Sequence, residues 1–499
     1  MPAPSFVSGE LAELASVAAY IAWHAGRMPR AVAVVEGGAS VTHEDLAADL
    51  VRTVWCLERL GVRPDMVVGA EHPRAYCHLL LILACSVIGA RTMSLTAGEL
   101  LASPSLLAQC DMLLAGSNLA SEYRAKAQTI AVDFPRGLAM APVAVDCLQR
   151  LYRAIPPDEV VRITKSSGTT GSPKTMAITH AVMQRIIRHT IGHVLSDLTV
   201  RPSFLCLYSL GVRAAYSRVF GTLMHGGTVH FAADMNEVSE LIAAGSVNYA
   251  LFVVGDMQRV LQLLPTPPLG HVLEIELIGG PVSLKLRKDV RERLNARVTV
   301  KYSSNETNRV SIIGDDDVGI LCPGVAVRIV DDRGDEVPFG VTGLVRIKTQ
   351  TMAAGYNNDP VANARCFVDG WYHSSDIGYM PEAGKLVILG RADDVLNIGG
   401  LKIAPFEIED QIKRIEGLSD SAVLHVSDAY GHDVLLVALE IAGGDSPPNL
   451  PQRLAPILSQ YMRPCEFLVL RQFPRTETGK TKRQELKAIF RQQQARAFA

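Results

Sequence analysis

Between Tyr249 and Tyr302 the chain alternates short apolar runs with stretches of helical period, and few architectures accept that order. The pattern predicts a strand at Leu251–Val254, a helix at Met257–Leu264, a strand at Glu274–Ile278, a helix at Leu284–Leu294 and a strand at Val298–Tyr302. Strands separated by whole helices cannot pair as hairpins, so they line up in parallel with the helices crossing over the sheet. Open parallel sheets bind ligands beyond the C-terminal ends of their strands. Gly279, Gly280 and Pro281 follow one such end and Tyr302 stands at another, which makes both candidates for a binding site.

The rest of the chain divides around this block. Before residue 164 helices alternate with short strands, and Leu79–Ala90 is an apolar run too short to span a bilayer, so it reads as a buried helix. From Gly324 the texture becomes short alternating strands, at Val325–Val330, Gly343–Lys348 and Lys385–Leu389, suggesting a small antiparallel sheet or β-barrel. After Arg391 follow a helix at Phe406–Ile415, strands at Ala422–Val426 and Val434–Glu440, a helix at Leu450–Gln460 and a strand at Phe467–Leu470. A chain of 499 residues exceeds one compact core. The expected fold class is therefore α/β. A large N-terminal domain (1–390) would hold α/β subdomains to about 323 and a β-barrel at about 324–390, followed by a small α+β C-terminal domain at 391–499.

Composition excludes several functions. Net charge is −2, with 49 basic and 51 acidic residues, so no global field recruits nucleic acid or an anionic membrane. Nine scattered cysteines, without C-x-x-C spacing, argue against zinc or a disulfide framework and for reduced thiols. Glu10 and Glu13 stand where a signal peptide needs basic residues, and the terminal Ala-Phe-Ala is no peroxisomal address. The cytoplasm is the expected location.

The densest chemistry lies at Thr164–Thr175, reading TKSSGTTGSPKT after the β-branched lead-in Val160, Val161 and Ile163. Gly168 and Gly171 let backbone N–H groups approach an anion, Ser166, Ser167, Thr169 and Thr170 add hydroxyl donors, and Lys174 adds charge. That is a loop for polyphosphate; a plain polar surface loop leaves this concentration unexplained. It is not a Walker A loop, because Pro173 removes an N–H where that loop needs one.

The segment resembles the phosphate loop of the adenylate-forming superfamily, which includes acyl-CoA synthetases, peptide-synthetase adenylation domains and luciferases. Four more motifs carry the resemblance in order: Tyr302-Ser-Ser-Asn305-Glu306; Trp371-Tyr-His-Ser-Ser375-Asp376; Gly390-Arg391 through Glu409; and Pro474 through Gly479-Lys480 to Arg483. The likeness is greatest to a stand-alone acyl- or aryl-CoA synthetase. It implies a carboxylate attacking the α-phosphate of ATP to give acyl-adenylate and pyrophosphate, and a thiol then displacing AMP. ATP, Mg2+ and coenzyme A would be the small molecules required, beside a carboxylic acid.

Carried over residue by residue, the resemblance assigns the β- and γ-phosphates to Thr169, Thr170, Gly171 and Lys174, and the metal to Glu306. Gly279, Gly280, Pro281 and the Tyr302 ring would form the adenine slot, with Asp376 and Arg391 at the ribose. Lys480 would bridge the attacking carboxylate and the α-phosphate. Asp393 is the implied hinge about which the C-terminal domain rotates, bringing Gly399, Gly400 and Leu401 to a thiol tunnel. Tyr208, Ser209, Arg213, Val253, Val254 and Gly255 are candidates for the acyl pocket, and Arg213 is either a partner for a second substrate carboxylate or an arginine on a solvated helix face.

The chain also departs from the family pattern. Asn305 stands for the usual Thr and remains a nucleotide-site candidate, since an amide can still donate to phosphate; Ser303 and Ser375 stand for glycines, and Leu344 for the Glu of G-E-L. The Leu207–Arg213 segment lacks both the histidine of many acyl-CoA synthetases and the aspartate that would hold an α-amino group, which disfavours amino acids. Three readings stay open beside a coenzyme A ligase: loading of a phosphopantetheinyl carrier protein in trans, a luciferase-like oxygenase, and a non-catalytic adenylate-binding protein. A homodimer also stays open.

Overall fold

The computed structural model describes residues 16–116, 129–131, 145–166, 173–194, 200–264, 270–280, 282–392, 396–398, 401–403, 405–427, 433–441, 447–459, 464–476 and 481–497. Two sheets dominate it, and the fold is α/β as expected. In the larger sheet, strands Val32–Glu36, Thr228–Phe231, Ser203–Cys206, Tyr249–Val253, Leu273–Ile278 and Ala296–Ser304 lie side by side in parallel. The second sheet orders Thr129–Ala131, Met112–Ala115, Val67–Ala70, Arg91–Ser94 and Val160–Ser166 in parallel, and adds Lys174–Thr179 antiparallel at its edge.

The alternation between Tyr249 and Tyr302 is present almost residue for residue, with helices Val254–Leu263 and Leu284–Leu294 between the strands. The strand Tyr249–Val253 is buried at every position, because helices or the neighbouring layer cover both of its faces. Helix Leu284–Leu294 starts on a Ser283 side chain that accepts the Leu286 N–H, and stops at Asn295 in the left-handed region (φ 46°).

A layer of helices lies between the sheets and forms the main core: Val17–Arg27, His43–Arg59, Ala75–Ile88, His180–Val194 and Arg213–Met224. Ala75–Ile88 contains the apolar run expected to be a buried helix. Leu79 through Leu83 are each at most 2% exposed. A helix apolar on all sides is stable only when enclosed. Its N-terminus is held by Glu36, whose Oε1 accepts the Ala75 N–H at 2.6 Å, and it ends at Gly89 with φ 96°.

The β-rich region departs from expectation, because it does not close into a barrel. Strands Val325–Val330, Gly343–Thr349, Trp371–Tyr379 and Lys385–Arg391 pair antiparallel in that order. They then run through Gly319–Leu321 and Asn308–Ile313 into Ala296–Ser304, so the region is an extension of the large sheet. Among the described residues Val325–Val330 pairs with one neighbour and forms the open end. Register shifts at Leu344/Arg346 and Ile377/Gly378 bend the ribbon, and bending alone supplies no closing partner.

Toward the C-terminus, strands Leu418–Ser427, Asp433–Ile441 and Cys465–Leu470 make a separate small sheet. Helices Pro405–Lys413 and Leu450–Leu458 cover one face, and Arg483–Ala497 covers the other. No helix among the described residues is long and apolar enough to cross a membrane.

Candidate nucleotide and acyl site

The strand ends converge on one region. Val160–Ser166 and Lys174–Thr179 form a hairpin, with Ser166 opposite Lys174. The loop between them, with Ser167, Gly168, Thr169, Thr170 and Gly171, lies outside the described residues. Lys174 emerges from this hairpin with its Nζ 3.4 Å from Asp359 Oδ2 and 4.8 Å from the centroid of the Tyr356 ring. The preceding Lys165 is paired with Glu99.

Glu306 follows the strand Ala296–Ser304, and only 7% of its surface is exposed. The Tyr356 hydroxyl donates to its Oε1 at 3.0 Å. Burial first, and then the Glu306 charge, push the Tyr356 phenol above its ordinary pKa, so it remains a donor at neutral pH. Asn305 Nδ2 donates to the Lys165 carbonyl at 2.9 Å. This substitution ties the Glu306 segment to the base of the phosphate hairpin.

No group of three or more His, Cys, Asp or Glu side chains poised for a metal occurs among the described residues. A buried carboxylate such as Glu306, sharing the Tyr356 side chain with Lys174, suits a Mg2+ ion that arrives on a polyphosphate, since Mg2+ takes one or two carboxylates and completes its shell with substrate oxygens.

Around the expected adenosine position, Gly279 holds φ 93°, a conformation that favours glycine, and no atom stands within 4 Å of where a Gly280 Cβ would be. Pro281 lies outside the described residues. The structure brings Tyr302 and Asp376 together, the phenol donating to Asp376 Oδ2. Asp376 and Arg391 are cross-strand neighbours, with Arg391 Nε 4.0 Å from Asp376 Oδ1. Ser375 is now explained. Its hydroxyl accepts from Arg391 Nη2 at 2.6 Å, a contact glycine could not make.

In the expected acyl region, the Tyr208 hydroxyl donates to Asp256 Oδ2 at 2.9 Å and accepts the Val253 N–H at 2.8 Å. Ser209 accepts the Gly211 N–H, and Val253, Val254 and Gly255 make the turn from strand to helix. Arg213 requires a correction. Its buried guanidinium donates to the carbonyls of Asn305 and Thr351, so it braces the Glu306 segment and is not turned toward a second substrate carboxylate.

Of the C-terminal candidates, Lys480, Asp393, Gly399 and Gly400 lie outside the described residues, while Leu401 opens the short strand Leu401–Ile403. The flank of the Lys480 motif is placed. Arg475 bonds Asp420 and Glu440 at 2.8 Å each, and bridges to Thr481. It also comes within 3.8 Å of where a Gly255 Cβ would stand, so this flank meets the acyl region.

Behind the site lies a charge cluster absent from the sequence reading. Glu276, 1% exposed, receives Lys301 at 2.7 Å, the Tyr249 hydroxyl at 2.8 Å and Arg218. Burial would raise the Glu276 pKa, but Arg218 and Lys301 hold it well below the carboxylate range. Burial pulls Lys301 down to about 7. Tyr356, Asp359, Asp256 and Ser375 were also missed as contacts. Only Asp359, followed by Pro360, carried a readable signal, that of a helix start.

At the strand ends of the open α/β sheet the structure joins Lys174 and Glu306 through Tyr356, and Tyr302 and Arg391 through Asp376. The model of the AMP-binding enzyme family matches residues 21–357, and the chain belongs to that family. It is 24% identical over 472 residues to a 2-succinylbenzoate–CoA ligase of Listeria monocytogenes, covering 92% of this chain and 96% of that one. The fold matches that of ATP-bound MatB from Rhodopseudomonas palustris, with a TM-score of 0.80 at 20% identity, covering 96% and 100% of the two chains. It also matches o-succinylbenzoate coenzyme A synthetase (MenE) from Bacillus subtilis in complex with ATP and magnesium ion, with a TM-score of 0.77 at 22% identity and coverage of 94% and 99%.

Proposed function

We propose that this chain is an acid–thiol ligase that uses ATP and Mg2+ to adenylate a carboxylic acid and then passes the acyl group to coenzyme A. The observation that carries the reading is the convergence of Lys174, Glu306, Tyr302, Asp376 and Arg391 at the strand ends of a member of the AMP-binding family. The near full-length relative that is a 2-succinylbenzoate–CoA ligase supports both the aryl acid class and the acceptor.

In the first half-reaction a carboxylate oxygen attacks the α-phosphorus, the bond to the bridging oxygen breaks, and pyrophosphate leaves. Two anions must meet, so the site supplies positive charge. Lys174 would attract the terminal phosphates, Lys480 would neutralise the α-phosphate and the attacking oxygen, and Glu306 would hold the metal. Mg2+ would supply charge neutralisation on the phosphates. Asp376 accepts from ribose hydroxyls, with Arg391 held beside it by Ser375. In the second half-reaction the thiol sulfur attacks the acyl carbon and AMP leaves with the electron pair of the broken C–O bond.

Rotation of the segment from 391 onward about Asp393 would exchange Lys480 for Gly399, Gly400 and Leu401 between the halves, and glycine lets a pantetheine chain pass close to the backbone. Nine free cysteines support a reducing, cytoplasmic setting. The acceptor is tested by supplying ATP, Mg2+ and an aryl acid with either coenzyme A or a holo carrier protein, and weighing the thioester. Acyl-CoA is expected; acylated carrier with no acyl-CoA would give the acceptor role to a protein partner.

A further inference from the structure

We propose that Tyr356 is a positioning residue for the nucleotide site, its hydroxyl orienting the Glu306 carboxylate while its ring face locates the Lys174 ammonium. The inference rests on the reading of Glu306 as the metal carboxylate and Lys174 as the phosphate cation. Both contacts come from one buried side chain: Oη to Glu306 Oε1 at 3.0 Å, and the ring centroid to Lys174 Nζ at 4.8 Å. A lysine within about 6 Å of an aromatic face is attracted by the ring quadrupole. A hydroxyl donated to one carboxylate oxygen fixes the carboxylate plane and leaves the lone pairs of the other for a cation.

Tyr356 is itself unusually well fixed. Its N–H donates to Asn363 Oδ1 at 2.6 Å, and its carbonyl accepts from Asn363 Nδ2 at 2.8 Å. The next residue, Asn357, donates its N–H to the Thr175 carbonyl at 2.6 Å, and Tyr356 forms a bridge with Met176. The loop is thereby pinned to the strand that carries Lys174. Before it, Gly355 holds φ 157°, and a Cβ there would lie 2.9 Å from Asn363 Oδ1, so the approach needs glycine. Phe367 packs edge-on against the ring, with centroids 5.3 Å apart.

The arrangement has a chemical purpose. Metal and terminal phosphates arrive as one body, so the carboxylate and the lysine must keep a fixed separation. They come from different sheets, Glu306 after a strand of the large sheet and Lys174 from the edge of the second. A single rigid phenol between them sets that separation. Asp359, 3.4 Å from Lys174 Nζ, is a second partner for the ammonium beside the ring face.

The test is calorimetric binding of ATP, with Mg2+ and separately with EDTA, to wild type, Tyr356→Phe, Tyr356→Leu and Glu306→Gln. Tyr356→Phe keeps the ring and should fold normally. It is expected to weaken MgATP binding about five- to tenfold while leaving metal-free ATP within about twofold. Tyr356→Leu should in addition weaken metal-free ATP by about two- to fivefold through Lys174. If Glu306→Gln weakens MgATP and Tyr356→Phe does not, the positioning role is overturned and the metal reading survives. If Glu306→Gln itself leaves MgATP binding unchanged, the metal reading falls and the inference falls with it.

Discussion

Among the described residues Glu276 is the buried carboxylate that faces both Arg218 and Lys301, and this arrangement dictates an asymmetric response to mutation. Glu276→Gln preserves shape but removes the charge that faces Arg218 and Lys301, whose side chains are 8% and 2% exposed. The Arg218 charge has no water to turn to. Breaking a buried pair from one side costs about 3–5 kcal/mol, because a desolvated charge is left uncompensated. That is about a fifth or more of the ~5–15 kcal/mol that holds a typical domain together. Lys301→Met should be mild, within about 1 kcal/mol of wild type, since burial leaves Lys301 largely neutral above pH 7 and its loss keeps the Arg218–Glu276 pair intact.

The pH dependence follows from the same cluster. Lys301 sits at about 7 when folded against 10.5 when free. Between those values the unfolded chain holds a proton that the folded chain has released, so this group makes stability rise with pH from 7 to 10.5. Lys301→Met should abolish that rise. Urea unfolding followed by circular dichroism at pH 7.5 reads the comparison, with the midpoint of Glu276→Gln expected about 1 M or more below wild type. Equal effects of the two variants, or a Glu276→Gln midpoint within error of wild type, would refute the uncompensated-charge argument.

Three further outcomes are expected. Burial pulls His24 and His43 down to about 4 and His78 to about 3, so the unfolded chain takes up protons below pH 6.5 that the folded chain refuses. Stability should therefore fall as pH drops from 6.5 toward 4, by roughly 1.4 kcal/mol per pH unit per histidine, and His78→Phe should reduce that slope in acid titrations followed by fluorescence. Ser375→Gly restores the residue common in the family yet releases Arg391; the KM for ATP should rise about three- to fivefold with kcat nearly constant, and steady-state kinetics decide. Lys480→Ala should lower the adenylation rate about 10²–10³-fold, while thioester formation from added acyl-adenylate, measured in single turnover, should be much less affected.

Sequence legibility followed the range of the interactions involved. The strands and helices from Tyr249 to Tyr302 were readable because apolar runs buried on both faces leave a local imprint. Motifs that keep their spacing single out Lys174, Glu306 and Asp376 in the sequence, and the structure gives each a side-chain partner near the strand ends. What escaped depends on partners distant in the chain. Tyr356 reaches Glu306 across 50 residues, and Asn305 reaches Lys165 across 140. Neither residue type advertises which partner it will take. Arg213 was misjudged for the same reason, since an arginine near a pocket looks alike whether it faces ligand or braces carbonyls. The β-rich strands were found, but whether a ribbon closes depends on the pairing of its last strand, which periodicity does not encode.

The central claim is that this site joins a carboxylate to the α-phosphate of ATP. Carboxylate-dependent exchange of labelled pyrophosphate into ATP tests it directly, with Mg2+ present and a panel of aryl, fatty, dicarboxylic and amino acids. The account predicts exchange with an aryl or other simple carboxylic acid, absence of exchange with α-amino acids, and loss of the signal in Lys480→Ala. Tight ATP binding with no exchange for any acid in the panel would contradict it, and would leave an adenylate-binding protein in place of a ligase.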